Sequence, residues 1–331
     1  MREIGSEFWD VPVIDQQNNL FPESVQWFLS GRSALQAIIK DLGEARSVSL
    51  PSWCCDSMIK PFSDAGFEYH FYPVFFDEGL TQEIDLRHDV LLVMDYFGYK
   101  SLTSDLSGYK GTVIRDVTHS LFSAVYSDAD YCFGSLRKWC GVWTGGYAWA
   151  KDGHRIFAGE VDRGEYVTLR TRAMAEKKDY IEGKRGDKEY LIVFDQAEDC
   201  LDTVGIAPAI DRDISLARCL DVEKIKISRR ANADVLRHAF SEWLIFPEIS
   251  QTDVPMFVPV LVPDGKRDDL RRYLIKNEIY CPVHWPISGY HKLDERSENI
   301  YKNELSLVCD QRYTVDDMHR MIQTIESFMG E

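Results

Sequence analysis

Asp116 and Lys138 are the two residues of this chain whose types and setting could do chemistry together. Asp116 closes an apolar run, Thr112 to Arg115, and opens the segment Asp116-Val117-Thr118-His119. About twenty residues later Ser135-Leu136-Arg137-Lys138-Trp139 follows a second short run, Ala129 to Phe133. A carboxylate can hold a pyridinium N–H, and an amine can form a Schiff base with an aldehyde. Pyridoxal 5′-phosphate (PLP) needs both groups: the lysine anchors it, and the aspartate keeps its ring nitrogen protonated so that the ring acts as an electron sink. A lysine by itself reads as a solvated surface residue, and an aspartate after a strand reads equally well as a helix N-cap. The weight lies on the pair and on what flanks it, including Gly145-Gly146 downstream.

Other residues extend the constellation. His119 would stand one turn beyond Asp116 if a helix begins there, against the cofactor ring or orienting Asp116; the alternative is an ordinary core or surface histidine. Gly31-Arg32-Ser33 opens a helix, and a helix N-terminus offers N–H groups and a positive dipole end to a phosphate. Arg32 and Ser33 would add side-chain donors, although a plain helix start fits the same letters. Ser135, three residues before the lysine, is a further phosphate candidate. Trp53 follows a strand and Pro51-Ser52, where an aromatic ring could stack on the pyridine or simply fill the core. His284-Trp285-Pro286 borders a substrate pocket or forms a structural turn.

These residues need a scaffold that brings strand ends together. Residues Met1 to Leu29 read as an arm with aromatic pairs at Phe8-Trp9 and Trp27-Phe28. An amphipathic helix follows from Ser30, with Ala34, Leu35, Ile38, Ile39 and Leu42 on one face and Gly43 as its stop. Strand-like runs at Ser47 to Leu50, Tyr69 to Val74, Val90 to Met94, Gly111 to Arg115, Tyr131 to Gly134 and Thr144 to Ala150 alternate with helical or turn segments. That alternation predicts an α/β domain with a largely parallel sheet, whose ligands sit at the carboxyl ends of the strands. Trp53, Asp95, Asp116 and Lys138 all follow strands and are expected in one crevice. Arg163 to Lys188 reads as an exposed charged helix and loop, and Asp221 to Phe240 as a long amphipathic helix. Beyond it, strands at Met256 to Val262 and Tyr280 to Val283 and helices at Arg267 to Asn277 and Val315 to Phe328 suggest a smaller domain. The expected division is an arm and large cofactor domain, 1–235, and a small C-terminal α+β domain, 236–331.

The bulk numbers set limits on function. A length of 331 residues is enough for a substantial core. A formal net charge of −16 argues against a nucleic-acid or anionic-membrane surface, but a few local arginines could still hold an anionic substrate. The eight cysteines are scattered without zinc-ligand spacing, so no metal is expected. The start, MREIGSEFWD, lacks a signal-peptide apolar region, and no apolar run approaches the ~18 residues of a membrane span. A cytoplasmic protein with reduced thiols is the simplest expectation.

Together these segments resemble the DegT/DnrJ/EryC1/StrS family of sugar aminotransferases over nearly the whole chain. Ser30-Gly31-Arg32-Ser33-Ala34-Leu35 is similar to the family's Ser-Gly-Thr-x-Ala-Leu phosphate loop, with Arg32 in place of its threonine. Leu50-Pro51-Ser52-Trp53 resembles the aromatic stacking segment, and Met94-Asp95-Tyr96-Phe97-Gly98 the strand end that closes over the cofactor. Arg115-Asp116-Val117-Thr118-His119 resembles the Asp-x-x-His/Gln motif, and Phe133 to Lys138 with Gly145-Gly146 the lysine segment and its glycine turn. Val283-His284-Trp285-Pro286 and Leu305-Ser306-Leu307 through Arg312-Tyr313 resemble the small domain's substrate-side turn and final strand.

The resemblance implies the PLP-dependent transferase fold type I, with a mostly parallel seven-stranded sheet between helices. It implies a homodimer with shared active sites and Lys138 as anchor and proton-shifting base. It also implies transfer of an amino group, typically from glutamate, to a nucleotide-linked ketosugar in polysaccharide or natural-product biosynthesis. Tyr96, His284 and Trp285 would line the substrate side. The alternatives are another PLP reaction (lyase, dehydratase or transamination of a non-nucleotide ketone) or a non-catalytic PLP-fold binding protein.

Overall fold

Apolar runs of five residues become strands and capped amphipathic stretches become helices in the computed structural model, which describes residues 3–99, 106, 108–123, 129–159 and 162–330. Met1 and Arg2, the first residues of the expected arm, lie outside the described residues. In chain order the elements are β1 (Ile4–Gly5), β2 (Gln26–Phe28), α1 (Gly31–Asp41), β3 (Ser47–Pro51), α2 (Asp56–Asp64), β4 (Glu68–Tyr72), β5 (Val74–Phe76), β6 (Leu80–Gln82), β7 (Val90–Met94) and β8 (Thr112–Asp116). Then come β9 (Tyr131–Ser135), β10 (Gly146–Ala150), α3 (Tyr166–Ile181), α4 (Tyr190–Cys200), α5 (Asp211–Arg218) and α6 (Val222–Ala239). The chain ends with β11 (Phe257–Leu261), α7 (Arg267–Lys276), β12 (Ile279–Tyr280), α8 (Glu295–Asn303), β13 (Glu304–Val308) and α9 (Val315–Gly330). The chain is α/β, and its longest series of paired strands is parallel.

One compact unit takes in the described residues of 1–6, 45–126 and 223–331. In it β8, β7, β3 and β4 lie side by side, all parallel. The register Met94↔Asp116 brings the carboxyl ends of β7 and β8 level, so Asp95 and Asp116 emerge together. All five residues of β7 are buried, as a parallel strand covered on both faces requires. The same unit holds the antiparallel pair β11 and β13 and the parallel pair β1 and β12. Val258, Val260, Leu305 and Leu307 of the strands meet Leu270 and Leu274 of α7 and Met318, Met321 and Ile325 of α9 in one apolar core. The strand expected over Tyr280 to Val283 is confined to Ile279–Tyr280. Pro282 cannot donate to a ladder.

The other compact unit takes in residues 7–44 and the described residues of 127–222. There β2, β10 and β9 pair antiparallel, and α1 packs beside them. Ser30 caps α1, its hydroxyl accepting the Ser33 N–H at 3.1 Å. The charged stretch expected to be exposed differs from that reading. Tyr166, Arg170, Ala173, Met174 and Lys177 form a buried stripe along α3, facing Tyr190, Val193, Phe194 and Ala197 of α4. Arg170 and Lys177 sit where a hydrophobic period would show leucines, so the sequence looks solvated.

Candidate active site

Asp116 is the last residue of β8 and only 5% exposed. Its Oδ1 accepts the Thr118 N–H at 2.8 Å, which turns the chain sharply after the strand. Residues 118–123 are turns, so His119 follows Asp116 on a bend and not one helical turn on. Its Nδ1 receives the Phe97 N–H at 3.4 Å. Beside it, Asp95 accepts the Ser120 hydroxyl at 2.6 Å and faces Arg115 at 3.6 Å.

Trp53 emerges after β3 and is fully buried. It stacks on Tyr96, with ring centroids 4.9 Å apart and planes 12° from parallel, and meets Trp285 edge-on at 5.6 Å. Its indole N–H donates to the His284 carbonyl at 2.5 Å, and the Tyr96 hydroxyl donates to the Trp53 carbonyl at 2.6 Å. His119 lies 5.8 Å from both the Trp285 and the His284 rings. Thus Asp116, His119, Trp53, Tyr96, His284 and Trp285 belong to one compact unit, and five of them form an aromatic chamber at the strand ends. His284 is tied further into its unit by Glu304, which sequence reasoning missed, and by Ser306, which it met only within the Leu305-Ser306-Leu307 segment. Glu-Leu-Ser-Leu-Val has the alternation of an ordinary half-buried strand, yet every residue of it is buried.

Gly31, Arg32, Ser33, Ser135 and Lys138 belong to the other unit. Lys138 ends a short 3-10 turn, Leu136–Lys138, immediately after β9, and its side chain is exposed. The turn is held from below. The Leu136 N–H donates to the Gly145 carbonyl at 2.8 Å, and Gly145 has a φ of 145° that favours glycine. Next door, the Thr144 N–H and hydroxyl donate to the buried Asp213 carboxylate at 2.7 and 2.8 Å. Gly31 packs against Ser135: a Cβ built on Gly31 would stand 3.2 Å from the Ser135 Cβ. The hydroxyl of Ser33 is engaged elsewhere, donating to the Gly205 carbonyl at 3.0 Å and accepting the Ala207 N–H at 2.8 Å. Arg32 forms an ion pair with Asp202. The Ser30 cap takes the Ser33 N–H and leaves those of Gly31 and Arg32 outside the helix's own ladder.

A second group unread in the sequence centres on Glu7, which feels the charge of the lysine. Arg170, fully buried, donates to Glu7 at 2.8 Å, and Arg137 pairs with Glu198. Burial raises the Glu7 pKa, but the charges of Arg170, Arg137 and Lys138 outweigh it and hold the carboxyl down at about 2. Lys177 lies 5.2 Å over the Trp9 ring. Glu7 and Trp9 explain part of the N-terminal arm: it brings a carboxylate and an aromatic face to the cations of α3. The only sequence signal was Phe8-Trp9 within a polar arm.

No protein-family model and no curated protein matches the sequence. Solved structures do match. PseC of Helicobacter pylori, an aminotransferase involved in the biosynthesis of pseudoaminic acid, superimposes with a TM-score of 0.65 at 14% identity, covering 97% of this chain and 99% of that one. A DegT DnrJ EryC1 StrS aminotransferase from Brucella abortus gives 0.61 at 16% identity over 93% and 86%. NtdA from Bacillus subtilis, with bound cofactor PMP, gives 0.60 at 16% over 93% and 73%. The chain has the fold of the DegT/DnrJ/EryC1/StrS aminotransferases.

Proposed function

We propose that this chain is a PLP-dependent aminotransferase that moves an amino group from L-glutamate to a ketosugar carried on a nucleotide. The observation that carries the reading is Asp116: a buried carboxylate at the carboxyl end of a parallel strand, beside an aromatic chamber, in a chain whose exposed Lys138 follows β9. The residue types suit the cofactor. Asp116 would hold the ring nitrogen, Trp53 and His119 would flank the ring, and the Gly31 and Arg32 N–H groups with Ser135 would take the phosphate. In that reading Ser33 shapes the phosphate loop through residues 205 and 207, and Arg32 adds charge from beside Asp202.

Bound there, PLP supplies an electron sink for the bond broken at the amino-acid Cα. The protein's share is proton handling and positioning. With the cofactor bound, the Lys138 amine would hold and move the proton that the transfer requires. The chamber of Trp53, Tyr96, Phe97 and Trp285 would keep water out of its own interior. Tyr96, His284 and Trp285 would face the substrate. A large cofactor domain, 1–235, a small domain, 236–331, a homodimer with shared sites and a cytoplasmic location belong to the same reading.

The test is cofactor and substrate binding by variants. Replacing Asp116 by alanine removes a charge-assisted hydrogen bond, and PLP affinity should fall about 10–100-fold with the fold intact by circular dichroism. Unchanged affinity and turnover would reduce Asp116 to the residue that caps its turn.

A further inference from the structure

Residues of β13 make a chain of polar contacts that the proposed reaction does not use. Glu304 and Ser306 lie on one face of that strand, while Leu305 and Leu307 on the other face pack into the apolar core. The Glu304 side chain is 0% exposed. Its Oε2 accepts the backbone N–H of His284 at 2.6 Å, and its Oε1 lies 2.5 Å from the Ser306 hydroxyl. The same hydroxyl lies 2.8 Å from Nδ1 of His284. Nδ1 itself is 3.9 Å from Oε1, so Ser306 is the bridge. A carboxyl needed only to hold the turn before Trp285 would use one oxygen on the backbone. The second oxygen leads through a hydroxyl to a ring nitrogen whose ring looks into the aromatic chamber, 5.1 Å from Phe97 and 5.8 Å from His119.

We propose that Glu304, acting through Ser306, sets which ring nitrogen of His284 carries the proton, so that the three residues take up or release one proton at the chamber edge. The inference deepens the aminotransferase reading, in which His284 faces the substrate. A hydroxyl has one hydrogen, which fixes the directions. With Glu304 ionised, Ser306 donates to the carboxylate and accepts from Nδ1–H, and Nε2 is an acceptor. A proton arriving at Nε2 forms an Nε2–H bond. The Nδ1 proton then passes to the Ser306 oxygen, and the Ser306 proton passes to Glu304. Three bonds to hydrogen form; the two inside the relay and the one in the proton donor break. The ring stays neutral, Glu304 becomes a carboxylic acid, and Nε2 turns from acceptor to donor. Glu304 and Ser306 are therefore positioning residues, since neither faces the chamber directly.

The surroundings suit a carboxyl that changes state near neutrality. Burial pushes the Glu304 pKa up to about 8, against the Ser306 and His284 hydrogen bonds and the charge of Arg267, which hold it down. Arg267, on α7, donates to the Glu304 carbonyl at 2.9 Å. Cys281, beyond β12, is kept a thiol because burial raises it to about 12. His119 faces His284 from the turn after β8.

The experiment is nitrogen NMR of the full chain labelled with ¹⁵N-histidine between pH 7 and 9, with His284 assigned by its loss in His284→Gln. This readout needs neither cofactor nor turnover, so its failure is separate from failure of the aminotransferase reading. The expected result is that Nδ1 of His284 changes from acceptor to donor as the pH rises, and that Glu304→Gln abolishes the change. A His284 tautomer that is constant over this range, or the same transition in Glu304→Gln, would overturn the relay. Should Glu304→Gln fail to fold, Ser306→Ala decides. Loss of the transition supports the relay; its persistence sinks it.

Discussion

Glu304 sits in an environment far from that of a carboxylate in water. Its pKa rises from the ordinary 4.5 to about 8, chiefly through burial. The folded state therefore keeps a proton that the unfolded state has lost over that interval. The contribution to stability is complete below about pH 4.5 and declines as the pH rises toward 8. Denaturant titrations at pH 5, 6, 7 and 8 should show a midpoint that falls with pH in the wild type and falls less steeply in Glu304→Gln. Parallel slopes for the two proteins would mean that Glu304 is not the group responsible. Legibility at this scale was uneven. Asp116, Trp53 and His284 could be picked out because each stands at the end of a recognisable run. Glu304 could not, and Ser306 was met only as part of a strand segment, because their meaning comes from burial on both faces of β13 and from a contact some twenty residues away.

At the scale of elements, β10 and α1 approach so closely that a side chain has no room between them. A Cβ on Gly146 would lie 2.0 Å from the Ser30 carbonyl oxygen, a backbone atom. Gly146→Ala must push α1 off β10, and its cost should be about 2–4 kcal/mol, as for overpacking in a rigid place. Equilibrium unfolding would measure it; a loss under about 0.5 kcal/mol would show that the contact relaxes freely. The same pair explains what was readable. Ser30 and the apolar face of α1 announce a helix, and Val90–Met94 announces a buried parallel strand. By contrast, α4 and α5 went unread, and α3 was read as exposed. The buried stripe of α3 includes Arg170 and Lys177, whose charges are met by Glu7, Glu198 and aromatic faces. A pattern of hydrophobicity is blind to a stripe stabilised by ion pairs and cation–π contacts.

Over the whole molecule, the fold was more legible than the site. Strand–helix alternation and strand lengths survive at 14% identity to PseC, because any apolar residue of the right size keeps a parallel strand buried. A cofactor site depends instead on single groups at strand ends; in the proposed site Asp116 and Lys138 follow strands, while the side chains of Ser33 and Arg32 are engaged elsewhere. No helix among the described residues is long and apolar enough to cross a membrane. The central claim is that Lys138 anchors PLP and that L-glutamate donates to it. The most direct test is the visible absorption spectrum of the purified wild type and of Lys138→Ala, each with PLP, before and after addition of L-glutamate. The wild type should show the band of lysine-bound cofactor and lose it to the amine form of the cofactor on adding glutamate, while the folded variant never shows the lysine-bound band. A wild type without that band after incubation with PLP, or a variant that retains it, would contradict the account.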